Sequence, residues 1–202
     1  GNRFWLIGAG AAERYHLGWW RNRLPKTGVS IESKTTEYTG FSVVGPRSRD
    51  LLAMLTSEDV SNEAFPFHAC RELDLESAHA IAIRVSFTGD LGYEIYVPTD
   101  QQVMVYKDIL KAGAAFGLRQ VGARALNSMR LEKCYPSWGR ELTAENTAFE
   151  SKLGPFVDLS KGDFIGRAAA LAQSKAKTAA KLCAFEVSVT DADAVGDEPI
   201  ML

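Results

Sequence analysis

The sequence predicts an α+β domain in which helices flank a mixed or antiparallel sheet. Segments with the two-residue period of strands are interspersed with segments of helical period, without the regular strand–helix rhythm of a doubly wound parallel sheet. The 202 residues are 46% hydrophobic and 24% charged, which is typical of a globular chain and not of a disordered one. This length suits one domain or two small ones that share a core.

The N-terminal part of the chain predicts three short strands and two helices. The apolar residues 4–7 are bounded by Gly8 and therefore predict a buried strand. Pro46 suits the first position of a helix, where a missing N–H costs nothing, and leucines at 51, 52 and 55 give that helix an apolar stripe. The strands are expected at 4–7, 29–31 and 41–44, and the other helix at 13–23.

A β-hairpin is the clearest local signal in the chain. Residues 80–87 alternate apolar side chains with small or charged ones, and residues 91–97 do the same. Thr88-Gly89-Asp90 lies between them, and Gly89 can supply the positive φ that such a connection needs.

The rest of the chain predicts three helices and a last strand. The first helix is expected to begin at Thr99, because Gln102 completes a capping-box pattern. Its buried stripe is expected at Val103, Tyr106 and Leu110. The other helices are predicted at 123–133 and 166–177, and the strand at 181–189.

Charge and composition exclude several classes of function. With 23 Lys+Arg against 25 Asp+Glu the net charge is -2, which argues against a nucleic-acid surface. No uncharged run is long enough to span a bilayer, and a secretory signal is not expected. Three widely separated cysteines exclude a disulfide scaffold, and isolated histidines predict no metal site. A reduced, cytoplasmic compartment is therefore expected.

A near-match to a dinucleotide fingerprint begins at Gly8. Gly8 and Gly10 precede the predicted helix, and Glu32 lies about twenty residues on, as in the fingerprint. The third position fails, because Glu13 is large and charged where helix and strand must pack closely. A plain strand-turn-helix is favoured.

Two clusters carry candidate chemistry. Strand alternation places Glu94 and Tyr96 on one face of their strand, opposite Tyr93 and Ile95. A carboxylate there either faces solvent or lines a pocket. The second cluster, residues 130–140, combines charged and aromatic side chains and could be either helix packing with surface ion pairs or a binding segment.

Together these clusters resemble a known family. Residues 84–98 (Arg-Val-Ser-Phe-Thr-Gly-Asp-Leu-Gly-Tyr-Glu-Ile-Tyr-Val-Pro) resemble the glycine-cleavage T-protein (aminomethyltransferase) superfamily. The likeness extends in the right order to Gly45–Ser48 and Met129–Lys133. Ser137–Thr143 and Lys161–Arg167 look specifically like the dimethylglycine and sarcosine dehydrogenase branch, in which this module is the C-terminal half of a larger flavoprotein.

The resemblance implies a tetrahydrofolate site. Glu94 stands where the family has a Glu that holds the pterin. This role suits a carboxylate, which can accept hydrogen bonds from both the ring N–H and the amino group of the pterin. Phe87 stands where the family usually has a pterin-contacting Tyr, so it keeps the ring and lacks the hydroxyl. Tyr135 matches another ring of the folate pocket, and Trp138 is expected beside it.

The resemblance also implies that the chain is a fragment of a T-protein-like folate-binding fold, without its N-terminal segment and its C-terminal barrel domain. Residues 1–190 correspond to the central part of that domain, and 191–202 to the start of the truncated one. The family's catalytic Asp belongs to the N-terminal segment, so no catalytic residue is assigned. The T-proteins also use an Arg shortly before the Arg-Leu-Glu segment, and this chain has Leu126 at that position. The nearest candidate is Arg124, which lies on a different face of the predicted helix.

The implied function is one-carbon transfer that forms 5,10-methylenetetrahydrofolate from the iminium product of a small N-methyl amine. FAD is expected on a separate flavin domain of the parent chain, which is also the expected partner, with no nucleic acid and no membrane. Two alternatives stay open: a non-catalytic folate-binding or interaction module, and a stand-alone aminomethyltransferase or demethylase. The parent is expected to be an enzyme, and the fragment alone inactive.

Overall fold

The described part of the structure, a computed structural model, comprises residues 3–177, 180–188, 190, 191 and 199. It has the predicted α+β class, with helices that flank an antiparallel sheet. The chain divides into two units, Gly1–Met129 and Arg130–Leu202. Most of the predicted domain start at 191–202 lies outside the described residues, so that boundary stays a prediction.

A four-stranded antiparallel sheet is the framework of the first unit, with the strand order β1-β4-β3-β2. Its strands are β1 (Tyr38–Val44), β2 (Cys70–Leu75), β3 (Ala78–Ile83) and β4 (Gly92–Pro98). β4 therefore lies inside the sheet, paired with β1 on one side and with β3 on the other. The hairpin and the strand expected at 41–44 are confirmed.

The helices of the described residues are α1 (Glu13–Arg21), α2 (Ser48–Leu55), α3 (Gln102–Ala114), α4 (Ala123–Glu132) and α5 (Arg167–Lys175). The helices expected at 13–23, 123–133 and 166–177 are confirmed with slightly shorter ends. None of the helices in this part of the chain combines the length and the apolar character that crossing a bilayer requires.

The core of the first unit lies between one face of the sheet and the helices α2 and α3. Every second residue of β4 points into it, and Tyr93, Ile95 and Val97 are fully buried. The helices add side chains that are three and four residues apart, so that one stripe of each helix is buried. These core residues include Leu51, Leu52 and Leu55 of α2 and Val105 and Ile109 of α3.

Three predicted strands are wrong. Residues 4–7, 29–31 and 181–188 form no strand, and Val189 lies outside the described residues. Phe4 is 84% exposed, so its apolar run does not enter the core. An extended segment becomes a strand only where a neighbouring strand takes its N–H and C=O groups. Conversely, the sequence does not predict β2, because its charged residues interrupt the alternation of apolar side chains. The strand forms because it pairs with β3.

The local predictions around α2, α3 and the hairpin need correction. α2 begins at Ser48 and not at Pro46, because a turn with Gly45 at φ 118° precedes it. Thr99 does not cap α3: its hydroxyl donates to the Thr36 carbonyl, and a 3-10 turn intervenes. The strands of the hairpin end at Ile83 and restart at Gly92, so the connection is longer than the predicted Thr-Gly-Asp turn.

The prediction of which α3 residues are buried is also wrong. Val105, Ile109 and Gly113 face inward, whereas Val103 and Tyr106 are exposed and Leu110 is half-buried. Both sets have helical spacing, and only the position of the sheet selects between them.

Candidate functional site

Glu94 lies on the face of β4 that points away from the core. The side chain is half-buried, and its Oε2 accepts a hydrogen bond of 2.6 Å from the Tyr96 hydroxyl. Among the residues that the structure describes, Tyr96 is the only hydrogen-bond or ion-pair partner of this carboxylate. A carboxylate has about four acceptor positions on its two oxygens, so the described residues use only a small part of this capacity.

The local sequence explains why Glu94 and Tyr96 meet. Residues two apart in a strand share a face, and the buried Tyr93 and Ile95 confirm the predicted alternation. Opposite them on β1 lie Ser42 and Gly40. A Cβ atom on Gly40 would come within 2.9 Å of Cε1 of Tyr96. The missing side chain therefore leaves the space in which the Tyr96 ring lies.

The Tyr96 phenol is held in its protonated form. Burial raises the pKa of Tyr96 far above its usual range, and the hydrogen bond to Glu94 and the charge of Glu94 raise the pKa further. The hydroxyl is therefore a neutral donor throughout the neutral pH range. It orients the carboxylate without neutralising its charge.

Phe87 lies in the connection between β3 and β4, with 40% of its surface exposed. The connection is ordered by the buried Thr88, whose hydroxyl is 2.9 Å from that of Ser86, and by Gly89 at φ 75°, as predicted. Several residues of the connection line a hollow of about 270 Å³ together with Phe67, among them Arg84 and Asp90. Neither Phe87 nor Glu94 lines that hollow.

In the second unit, Arg130 organises the segment that follows α4. The guanidinium is 1% exposed, and its Nη1 donates to the Tyr135 carbonyl at 3.0 Å and to Oε2 of Glu141 at 2.7 Å. The same Glu141 oxygen accepts the Ser137 N–H at 2.9 Å. One arginine and one carboxylate thus connect both ends of residues 135–141.

The Glu141 carboxyl is held in its ionised form. Partial burial acts to raise its pKa, but the hydrogen bond from Arg130 and the main-chain N–H donors outweigh burial and hold the pKa below its ordinary value. The positive charge on Arg130 acts in the same direction.

Tyr135 and Trp138 lie on this clamped segment with their rings largely outward. Tyr135 is 40% exposed and Trp138 is 61% exposed, and a tight turn follows in which the Gly139 N–H donates to the Leu142 carbonyl. Arg124 lies in the first turn of α4, and it too is exposed. Exposure agrees with a ligand-facing role for these residues, which stays a prediction.

Sequence reasoning missed Tyr96, Arg130 and Glu141 as organising residues. The strand alternation places Tyr96 on the face of Glu94 but assigns it no role, although a side chain two residues away on the same face can reach the carboxylate. Arg130 shares a helix side with Leu126 and Met129, and a charged residue on a partly buried helix stripe predicts a buried partner. Only the fold identifies that partner as Glu141.

The dinucleotide interpretation finds no support in the described geometry. The strand it requires before Gly8 is absent from residues 3–9, and Glu13 accepts a hydrogen bond from the Ser33 hydroxyl. Within the described ranges, no group of three or more His, Cys, Asp or Glu side chains is arranged to hold a metal ion.

Fold and site together define an α+β protein whose central strand presents a half-buried carboxylate. The sequence profile of the GCVT N-terminal domain matches residues 1–161, and the chain belongs to this family. The resemblance to the T-protein superfamily is thereby confirmed.

Curated relatives of the chain carry three different names. The chain is 37% identical to mitochondrial dimethylglycine dehydrogenase of Homo sapiens over 98% of its length, and 32% identical to an aminomethyltransferase of Caldanaerobacter subterraneus subsp. tengcongensis over 92%. It is also 32% identical over 90% to the mitochondrial pyruvate dehydrogenase phosphatase regulatory subunit of Mus musculus. The chain spans 23%, 50% and 21% of these relatives, respectively.

Proposed function

We propose that this chain is the tetrahydrofolate-binding part of a one-carbon transferase, with Glu94 as the acceptor for the pterin. The observation that supports this most is the Glu94 carboxylate itself, half-buried on the central strand and held by one neutral hydroxyl. Membership of the GCVT N-terminal domain family and the name of the bacterial relative favour aminomethyl chemistry.

The residues present suit a reduced folate. The pterin presents a ring N–H and an amino group side by side, and one carboxylate can accept both as charge-assisted hydrogen bonds. Phe87 supplies an exposed ring face for stacking but no hydrogen bond, because it lacks a hydroxyl. When bound, tetrahydrofolate supplies the amine that takes up the one-carbon unit. The protein places the reactants, which is a large source of rate enhancement.

The predicted ligand contacts of Tyr135, Trp138 and Arg124 belong to the same proposal. Their exposed side chains leave them accessible to a ligand. Arg130 donates to the Tyr135 carbonyl and to the Glu141 carboxylate, which also accepts the Ser137 N–H, so this segment keeps its shape without the ligand.

The whole reaction belongs to a longer protein. Because the chain spans 23% of human dimethylglycine dehydrogenase, we propose that oxidation of a small N-methyl amine occurs on a separate FAD-bearing part of such a parent. The iminium product would then reach the folate site. The cytoplasmic compartment stays a prediction. The human relative is named mitochondrial, and this name favours a mitochondrial compartment instead.

A titration of the full-length parent with 5-formyltetrahydrofolate tests the role of Glu94. Glu94→Ala is expected to weaken binding by about 2–5 kcal/mol, because the donors of the pterin lose their charged acceptor. This corresponds to a loss of about 30-fold to more than 1,000-fold in affinity, measured by calorimetry.

The matched control is Glu72→Ala. Glu72 lies on the same face of the sheet, on the edge strand β2, with an exposed side chain. Its removal is expected to leave the affinity within about twofold. Unchanged folate affinity in Glu94→Ala would refute the proposed site.

A non-catalytic binding or interaction module is the second candidate. The mouse relative is named a regulatory subunit, which favours this candidate. The resemblance to the T-protein superfamily also implies a Tyr where this chain has Phe87, which lacks the hydroxyl. Folate binding by the full-length parent without turnover of any N-methyl amine would favour this candidate. A stand-alone aminomethyltransferase is favoured if turnover needs no flavin.

A further inference from the structure

The Tyr96 ring is confined on the same face of β4 as Glu94. Its hydroxyl donates to Oε2 of Glu94 at 2.6 Å, and its ring lies over Gly40 of β1, where a Cβ would come within 2.9 Å. We propose that Tyr96 is a positioning residue that fixes the orientation of the Glu94 carboxylate for the ligand, and that Gly40 sets the position of its ring.

The need for such a residue follows from the conformational freedom of glutamate. A glutamate side chain has several rotatable bonds, and ordering it on binding costs free energy. The Tyr96 hydroxyl holds one carboxylate oxygen before the ligand arrives, so that part of this cost falls on folding and not on binding. The other oxygen keeps its acceptor positions for the N–H donors of the ligand.

The chemical type of the donor also matters. A lysine or arginine in this place would compete with the ligand for the charge of Glu94, whereas a phenol leaves the charge in place. The raised pKa of Tyr96 agrees with this role, because the phenol stays a donor at neutral pH. The role rests on the proposed function, since Tyr96 acts through Glu94.

Tyr96→Phe tests the hydroxyl in the full-length parent, because it keeps the ring over Gly40. We expect the dissociation constant for 5-formyltetrahydrofolate to rise about tenfold, as is typical for a hydrogen bond to a charged group. Gly40→Ala tests the ring position. It keeps the hydroxyl but pushes the ring away, and we expect a rise of about fivefold. Tyr106→Phe is the control, since its hydroxyl donates to Gln120 elsewhere.

A double-mutant cycle separates positioning from general structure. In the Glu94→Ala background, Tyr96→Phe is expected to change the affinity less than twofold, because no carboxylate is left to orient. A structural role would give the same loss in both backgrounds. Circular dichroism and thermal unfolding verify that each variant is folded. If Gly40→Ala does not fold, the result for Tyr96→Phe decides the outcome.

The outcomes for the two proposals are distinct. If Glu94→Ala weakens folate binding and Tyr96→Phe does not, or does so equally in both backgrounds, the positioning role is wrong and the proposed function stands. If Glu94→Ala leaves the affinity unchanged, the proposed function fails, and the positioning role fails with it. A loss in Tyr96→Phe that disappears in the Glu94→Ala background supports both.

Discussion

Glu94 and Glu141 are two partly buried glutamates whose partners differ in charge. Glu141 binds the buried guanidinium of Arg130 and accepts a main-chain N–H as well. Glu94 accepts a hydrogen bond from the neutral Tyr96 hydroxyl. The guanidinium pairs with Glu141 within the protein and makes it part of the framework, whereas the described partner of Glu94 carries no charge.

The difference reflects what burial of a charge costs. A carboxylate taken out of water needs an opposite charge or several donors to offset the lost hydration. Glu141 has these partners inside its own unit. Glu94 has a single neutral donor among the described residues, so its remaining compensation must come from water or from a ligand. This contrast supports the proposal that Glu94 is a functional carboxylate, whereas Glu141 is a structural one.

The largest expected effect on stability comes from breaking the ion pair between Arg130 and Glu141. Arg130→Met leaves the Glu141 carboxylate partly buried without its cation, and we expect the free energy of unfolding to fall by about 2–4 kcal/mol. Urea denaturation of the full-length protein measures this change. The matched control, Glu94→Gln, removes the charge of the other carboxylate and is expected to cost no more than about 1 kcal/mol.

The double variant Arg130→Met/Glu141→Leu sharpens this test. If the loss in Arg130→Met arises from an unpaired charge, removal of both partners should restore part of the stability. Equal losses in Arg130→Met and Glu94→Gln would contradict the division into a structural and a functional carboxylate.

A smaller effect is expected in acid. The pKa of Glu141 in the folded state lies below its ordinary value of 4.5, so its contribution to stability is present above that value and is lost as the pH falls through the folded pKa. In Glu141→Gln, the stability should depend less steeply on pH below about 4.5. Urea midpoints across this range measure it, and an unchanged slope would show that the pair does not stabilise the ionised form.

The smallest effect is expected at His79, where an imidazole meets Asp74 on the exposed sheet edge. The hydrogen bond to Asp74 raises the pKa of His79 above its ordinary value of 6.5. Its contribution to stability is therefore present below 6.5 and is lost as the pH rises through the folded pKa. Because both side chains are exposed, Asp74→Asn should cost no more than about 0.5 kcal/mol.

An NMR titration of the His79 ring checks this pair directly. In Asp74→Asn the pKa of His79 should fall toward 6.5, and in the control Asp90→Asn it should not change. A pKa that stays raised in Asp74→Asn would assign the shift to another neighbour, such as Glu72.

The part of the fold that the sequence predicts correctly is the part set by local period. The alternation in β4 placed Glu94 and Tyr96 on the face opposite Tyr93 and Ile95, and the structure has this arrangement. The positions of α1, α4 and α5 follow from local helix signals, although each helix is shorter than predicted. These features need no knowledge of the distant chain.

The rest depends on partners far away in sequence. Residues 4–7 have the composition of a buried strand, but in the described structure they pair with no other strand. β2 has a poor strand pattern and forms through its pairing with β3. The inward side of α3 was wrong for the same reason, because the sheet selects it. At the candidate site, the contact of Arg130 with Glu141 spans a turn whose shape no local pattern encodes.

The position of Glu94 between two neighbouring strands has a kinetic consequence. Glu94 is paired in register with Ser42 of β1 on one side and with Ile83 of β3 on the other, so its strand has a neighbour on both sides. We expect the amides of this strand to exchange with deuterium later than those of surface loops. If Glu94 is the folate acceptor proposed above, an arriving ligand therefore meets a carboxylate whose strand is already in place.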